Sequence, residues 1–107
     1  MIEVCLYRQN GRITGYDVTG HSGTADHGFD IVCAGISSLA QTALLGLGMH
    51  LHRKVDYHVA SGDLHVELLE APDEKTDAIL ETMLLGIREI VKLRPEAVRL
   101  LENESGR

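Results

Sequence analysis

A histidine and a cysteine that could together perform nucleophilic chemistry, His21 and Cys33, lie twelve residues apart in the sequence. A cysteine thiolate attacks carbonyl groups, and a nearby histidine can accept the thiol proton and later return it. Glycines between the two residues give the chain the freedom to bring His21 back toward Cys33. We therefore predict Cys33 as a nucleophile and His21 as its general base.

A predicted helix over residues 31–49 positions the cysteine. Asp30 directly precedes it as an N-cap candidate. Cys33 is then the third helical residue, where free backbone N–H groups and the positive end of the helix dipole favour a thiolate. Ser37 lies one turn further along the same face and could hydrogen-bond the thiolate or the substrate.

Each of these residues also has a purely structural interpretation. Free cysteines are most often small buried hydrophobes, and a serine in a helix often bonds its own backbone. His21 could be a solvated loop histidine, and Asp30 could cap the helix, orient His21 or do both. The combination of a first-turn cysteine, a capping acid and a preceding histidine loop favours chemistry for Cys33.

Two other kinds of site fit the spacing less well. A serine hydrolase needs Gly-x-Ser-x-Gly, whereas Ser22 is followed by Gly23 and Thr24. A zinc site would lack the paired spacings typical of zinc ligands. Its candidate ligands would be His21, Asp26, His27, Asp30 and Cys33. We therefore expect no metal at this loop and no other cofactor.

Two β-hairpins flank the predicted helix. Apolar and polar residues alternate over positions 2–7, Asn10-Gly11 is typical of a tight turn, and positions 14–18 continue as the returning strand. A second alternation over residues 54–68 is interrupted by Ser61-Gly62. Three residues fall on polar strand faces and are assigned no chemistry, namely Cys5, His58 and His65.

A second helix is predicted from Pro72-Asp73-Glu74 to Pro95, with apolar residues at three- and four-residue spacing. We expect residues 96–101 to add a short terminal helix and residues 102–107 to form a disordered polar tail. The sequence thus predicts one α+β domain over residues 1–107, with two layers in ββαββα order. Its sheet is mainly antiparallel and its helices pack on one face.

The composition narrows the possible partners. The chain has 107 residues and a formal net charge of −6 without a basic block, so we expect no direct nucleic-acid binding. The sequence has two cysteines and shows neither a signal peptide nor a spanning apolar run. From this we predict reduced thiols, a cytoplasmic location and no membrane partner. The first helix is more apolar than one sheet face requires. The excess could be buried against the second helix or form part of a symmetric dimer surface, and we favour a homodimer.

The stretch over residues 20–38 resembles the ribosomal-processing cysteine proteases of the Prp family. The residues that carry the resemblance are Gly20-His21, Gly28, Asp30-Ile31-Val32-Cys33-Ala34 and Ser37. The hairpins and helices extend it over nearly the whole chain. The family often has alanine and an aromatic residue where this chain has Ser22 and Thr24, and a second alanine at Gly35, but these departures leave the chemical groups intact.

The resemblance implies a homodimeric bacterial cysteine endopeptidase. Its substrate would be large-subunit ribosomal protein twenty-seven, from which it would remove a short N-terminal extension during ribosome assembly. Cys33 would be the nucleophile and His21 the general base. The supporting residues would be Gly20, Asp30 and Ser37, and a substrate loop, expected to be mobile, would include Ser22, Gly23, Gly28 and Phe29.

Two other functions are compatible with the same residues. A non-catalytic ribosome-associated assembly factor would use the glycine-rich loop as a binding surface. A thiol redox sensor would need Cys5 close to Cys33, so that the two could form a disulfide.

Overall fold

A computed structural model describes residues 1–20 and 27–105 of the protein, and for residues 27–30 it describes the backbone alone. The strands are β1 (Ile2–Gln9), β2 (Arg12–Thr19), β3 (Val55–Ala60), β4 (Asp63–Leu68) and β5 (Val98–Glu104). The helices are α1 (His27–Leu45), which continues as a π-helical turn over Gly46–His50, and α2 (Glu74–Leu93). The five strands form one sheet in the order β3-β4-β2-β1-β5.

This arrangement confirms the predicted α+β fold with a mainly antiparallel sheet. The neighbouring strands β3, β4, β2 and β1 pair antiparallel, and β5 pairs parallel to β1. Both predicted hairpins are present. Asn10 and Gly11 have φ values of 52° and 82°, which a two-residue hairpin turn requires and which this residue pair tolerates best.

The core lies between one face of the sheet and the two helices. Strand residues that alternate along the chain point into it and are fully buried, and they meet apolar residues of α1 and α2. The strand residues are Ile2, Val4, Leu6, Ile13, Tyr16 and Val18, and the helical ones include Ile36, Ala40, Leu80, Leu84 and Ile87. Full burial of such an aliphatic side chain contributes about 1.5–3 kcal/mol to stability.

A buried tyrosine attaches α1 to the sheet. The Tyr16 hydroxyl, on β2, donates a hydrogen bond of 2.7 Å to the carbonyl oxygen of Ala40. Burial raises the pKa of Tyr16 far above its usual value, so the hydroxyl keeps its proton and remains a donor. The bond fixes the position of α1, and hence of Cys33 on the same helix, relative to β2.

The helix α2 begins where the sequence predicts. Asp73 is its N-cap: the carboxylate accepts hydrogen bonds from the backbone N–H groups of Lys75 and Thr76, and the Thr76 hydroxyl accepts one from the Asp73 N–H. Such a capping box satisfies donors that the helix itself leaves unpaired. It fixes the end of α2 that follows the second hairpin.

The C-terminal segment differs from the prediction. Residues 98–104 form the strand β5 rather than a short helix, and Glu102 to Glu104 belong to that strand rather than to a disordered tail. The reason is a distant partner, because β5 pairs with β1 from Ile2 opposite Val98 onward. No local sequence pattern reports such a pairing.

The segment Ile31–His50 has a mean hydropathy of 1.6 and, by length and composition alone, could cross a membrane. The expectation that the sequence has no such apolar run was therefore wrong. Here the segment serves as a core helix, since Ile36, Ala40 and Leu47 are fully buried against the sheet and α2. That packing explains part of its apolar character, since 28% of the span is buried.

Candidate functional site

Cys33 lies on α1, but further from the helix start than predicted. The helix begins at His27, so Asp30 is its fourth residue and not its N-cap, and Cys33 is its seventh. Gly28 and Asp30 are residue types that disfavour the interior of a helix, so the sequence predicted that the helix begins after them. In the structure, however, their backbone is helical. Because the dipole acts mainly within the first turn, it contributes less to a Cys33 thiolate than the sequence suggested.

The side chain of Cys33 is 8% exposed and belongs to the core cluster between the sheet and the helices. Ser37 follows one turn later and is half-buried, so the two share a face of α1 as predicted. A nucleophile on a helix that is packed into the core is held in a fixed position.

Gly20 fixes the point at which the chain leaves β2, immediately before His21. Its φ is +84°, and a Cβ added to it would lie 2.6 Å from the backbone oxygen of Met1. Its N–H donates a hydrogen bond of 3.2 Å to the carbonyl of Gly62. The positive φ and the close approach of Met1 both favour glycine at this position.

The remaining predicted site residues cannot be placed against Cys33. His21, Ser22 and Gly23 lie outside the described residues. Gly28, Phe29 and Asp30 are described by their helical backbone alone. The described chain reaches Gly20 on one side and resumes at His27 on the other. The pairing of His21 with Cys33 therefore stays a prediction.

Cys5 does not share a site with Cys33. It lies on β1 between the buried Val4 and Leu6, and therefore points to the opposite face of the sheet from α1. Burial, together with the nearby Glu3 and Asp17 carboxylates, raises the pKa of the Cys5 thiol, which disfavours its thiolate. This arrangement contradicts the redox-sensor hypothesis, which needs the two cysteines in contact.

A second group of reactive side chains, to which sequence analysis assigned no role, lies on that opposite face. His65 is not merely solvated, since its Nδ1 lies 2.6 Å from the Asp17 carboxylate. The signal in the sequence was the alternation of β4, which places His65 and Glu67 on one side. What it could not reveal was the strand order that brings β2 and β3 beside them.

Comparisons with known proteins identify relatives of this chain. A family model described as cysteine protease Prp matches residues 1–99. A protein from Staphylococcus aureus, named ribosomal processing cysteine protease Prp, is 29% identical over 93 residues, which are 84% of this chain and 87% of that protein.

Solved structures share the fold over nearly its full length. The crystal structure of SMU.848 from Streptococcus mutans has a TM-score of 0.88 and 29% identity, and the match covers 98% of this chain and 96% of that one. The ribosomal processing protease Prp from S. aureus, crystallised with a covalently linked product peptide, has a TM-score of 0.84 and 25% identity. That match covers 96% of this chain and all of the other.

Proposed function

Because the chain belongs to the cysteine protease Prp family, we propose that it cleaves a peptide bond with Cys33 as nucleophile and His21 as general base. A cysteine protease needs a reactive thiol, and the sequence contains only two cysteines. The observation that carries the assignment is the position of Cys5 on the far face of the sheet, with a raised thiol pKa. Cys33, on α1, is the alternative that remains.

In the proposed reaction, the Cys33 thiolate attacks the carbonyl carbon of the scissile peptide bond. The C–N bond then breaks, His21 gives its proton to the leaving amine, and a thioester links Cys33 to the acyl fragment. Water, deprotonated by His21, attacks the thioester, and the products are a carboxylic acid and the regenerated thiol. The two steps together consume one water molecule.

The oxyanion formed in each step needs hydrogen-bond donors. Inside a regular helix, the N–H of the seventh residue bonds the carbonyl four residues earlier, so the Cys33 N–H is a poor donor for this purpose. We therefore assign the oxyanion donors to the segment that precedes Cys33. That assignment makes the segment a part of the catalytic apparatus as well as a binding loop.

We propose the N-terminal extension of large-subunit ribosomal protein twenty-seven as the substrate, in the cytoplasm, and a homodimer as the working form. The name of the Staphylococcus aureus relative, a ribosomal processing protease, supports the substrate. The net charge of −6 also favours a basic partner such as a ribosomal protein, because opposite charges accelerate encounter.

The test is incubation of the purified protein with the host's own ribosomal protein, carrying its extension, followed by mass measurement of the products. We expect cleavage by the unmodified protein and by Cys5→Ala, and none by Cys33→Ala. His21→Ala should slow cleavage about 100- to 10,000-fold, the usual contribution of a general base.

Cleavage by Cys33→Ala would overturn the assignment of the nucleophile, and an unchanged rate in His21→Ala would remove His21 from the mechanism. If the unmodified protein binds the ribosomal protein but leaves its mass unchanged, the non-catalytic assembly factor becomes the better explanation. Cys5→Ala is the matched control, since it removes a thiol from the opposite side of the sheet.

A further inference from the structure

The open face of the sheet, opposite the helices, carries polar side chains that the proposed peptidase does not use. Asp56 on β3 lies directly opposite Glu67 on β4, and His65 precedes Glu67 by two residues on the same face. One potential ligand atom from each of these three residues lies within 4.8 Å of the other two. The Nε2 atom of His65 is 3.8 Å from a carboxylate oxygen of Asp56.

A fourth residue, outside this group of three, orients the imidazole. A carboxylate oxygen of Asp17, on the neighbouring strand β2, lies 2.6 Å from His65 Nδ1. The other Asp17 oxygen accepts a hydrogen bond of 2.8 Å from the Tyr7 hydroxyl. Metal-binding histidines commonly donate their second ring N–H to a carboxylate, which orients the ring. Asp17 at Nδ1 and Asp56 on the Nε2 side give His65 that arrangement.

We propose that Asp56, His65 and Glu67 bind one divalent cation of the zinc type, with water in the remaining coordination position. Two carboxylates balance the charge of the ion, and a mixed set of nitrogen and oxygen ligands suits zinc better than magnesium or calcium. Zinc ligands lie about 2.0–2.2 Å from the ion, so the three side chains must move slightly closer together. Asp56, which is 63% exposed, has the freedom to do so.

The ion would join the edge strand β3 to β4. In the part of the sheet that the structure describes, β3 pairs only with β4, and its side chains from Asp56 to Ala60 are exposed. A ligand from each of the two strands would add a cross-link on the side away from the helices. Zinc should therefore raise the melting temperature of the protein, since an ion bound only to the folded state stabilises that state.

The experiment is calorimetric titration of zinc chloride into the full-length protein with both thiols removed, as Cys5→Ser with Cys33→Ala, so that sulfur ligands do not compete. We expect one equivalent of zinc to bind. In the same background, His65→Asn or Glu67→Gln should weaken binding at least about 10-fold. Asp17→Asn should weaken it roughly 10- to 100-fold through the orientation of His65.

The matched control is Asp63→Asn, which removes an exposed carboxylate from the same strand and face but not from the proposed site. It should bind zinc like the parent. Nitrogen-15 spectra of the imidazoles should show the zinc-dependent shift at His65, and circular dichroism should show that each variant folds.

No zinc binding by the folded parent would overturn the proposal. The proposal would also be overturned if the folded His65→Asn and Glu67→Gln variants bound zinc as tightly as the parent. If Asp63→Asn lost as much zinc affinity as those variants, the binding would reflect only general attraction to a negative surface, which would overturn it too. None of these results depends on peptide cleavage, so the metal site and the proposed peptidase activity can fail separately.

Discussion

At the scale of single residues, the geometry of the candidate site depends on how rigidly the structure positions Cys33 and the chain that leads to His21. Cys33 is fixed by the packing of α1, and the chain that leads to His21 is fixed at Gly20, which is packed against the backbone of Met1. A fixed exit point limits where the following residue can lie. We therefore expect Gly20 to matter for activity, although it bears no reactive group.

Replacement of Gly20 by alanine should destabilise the protein and reduce peptide cleavage. The new Cβ meets the Met1 oxygen at 2.6 Å, and a non-glycine residue at positive φ costs about 1–3 kcal/mol by itself. Gly11→Ala is the matched control, because Gly11 has a similar φ of +82° but nothing within 4 Å of the added atom. Urea unfolding and cleavage of the peptide measure both effects.

If Gly20→Ala and Gly11→Ala lose equal stability and retain equal activity, the contact with Met1 does not position the site. A larger loss of stability in Gly20→Ala, with a slower cleavage rate in the fraction that remains folded, would support the positioning role.

At the scale of elements, β5 is held to the rest of the molecule by charged side chains as well as by its pairing with β1. Glu102 of β5 accepts hydrogen bonds from Arg88 of α2 at 2.8 Å and from Arg8 of β1 at 3.2 Å. Arg8 also pairs with Glu81 of α2 at 2.7 Å. The Arg88 and Arg8 hydrogen bonds lower the pKa of the Glu102 carboxyl, and this network links three elements.

The network predicts a loss of stability in acid. The pKa of Glu102 is lower in the folded state than in the unfolded chain, where it is about 4.3. Its contribution to the free energy of unfolding is therefore fully present above that value and is lost as the pH falls through the folded pKa. The Glu102→Gln variant should have a smaller free energy of unfolding than the parent at about pH 7. Between about pH 7 and about pH 3, that free energy should decrease less in the variant than in the parent.

Urea unfolding at the two pH values measures the difference. Glu89→Gln is the control, because its ion pair with Lys92 is largely exposed on both sides and contributes little. An acid-induced loss in Glu102→Gln as large as that of the parent would contradict the prediction.

The elements also show what the sequence could and could not predict. Strand alternation and Asn10-Gly11 defined the first hairpin, and Asp73 marked the start of α2, because these signals act between neighbours in the chain. The parallel strand β5 was missed, since its partner is nearly a full chain length away. The start of α1 was missed because Asp30 has the type of a capping residue, while its helical backbone places it within the first turn.

Within the described residues, the sequence predicted how the two cysteines and Ser37 are placed, while the pairing of His21 with Cys33 stays a prediction. Cys33 and Ser37 share a face of α1 as the helical period indicated, and Cys5 points away as the strand alternation indicated. The contact between His65 and Asp17 could not be predicted from the sequence. The two residues are far apart in the chain, and only the order of the strands brings them together.

At the scale of the whole molecule, the outer side of the helical layer carries exposed apolar side chains. A groove of about 440 Å³ runs between α1 and α2 and is lined by Leu39, Thr42, Ala43, Ala78, Ile79 and Met83. Five large apolar side chains of the helical layer are exposed, namely Ile31, Leu45, Met49, Leu85 and Leu93. This is the excess apolar surface that the sequence of the first helix suggested, and it supports the proposed homodimer.

We expect sedimentation equilibrium to show a dimer, and Leu45→Glu combined with Leu85→Glu to shift it toward monomer. A charge at a buried interface loses its hydration without gaining a partner, so association weakens. Leu69→Glu, which alters an equally exposed leucine outside the helices, should leave the dimer intact. A monomer for the unmodified protein, or equal dissociation in Leu69→Glu, would contradict the proposal.

The parallel pairing of β1 with β5 also constrains the order in which the protein can fold during its own synthesis. β1 is made before β5, so the edge that receives β5 stays unpaired until residues 98–104 have left the ribosome. The hairpins and helices, whose contacts are local, can form earlier. A nascent chain therefore carries an open strand edge while residues 10–97 are translated, and any pause before residue 98 prolongs the period in which that edge can pair wrongly.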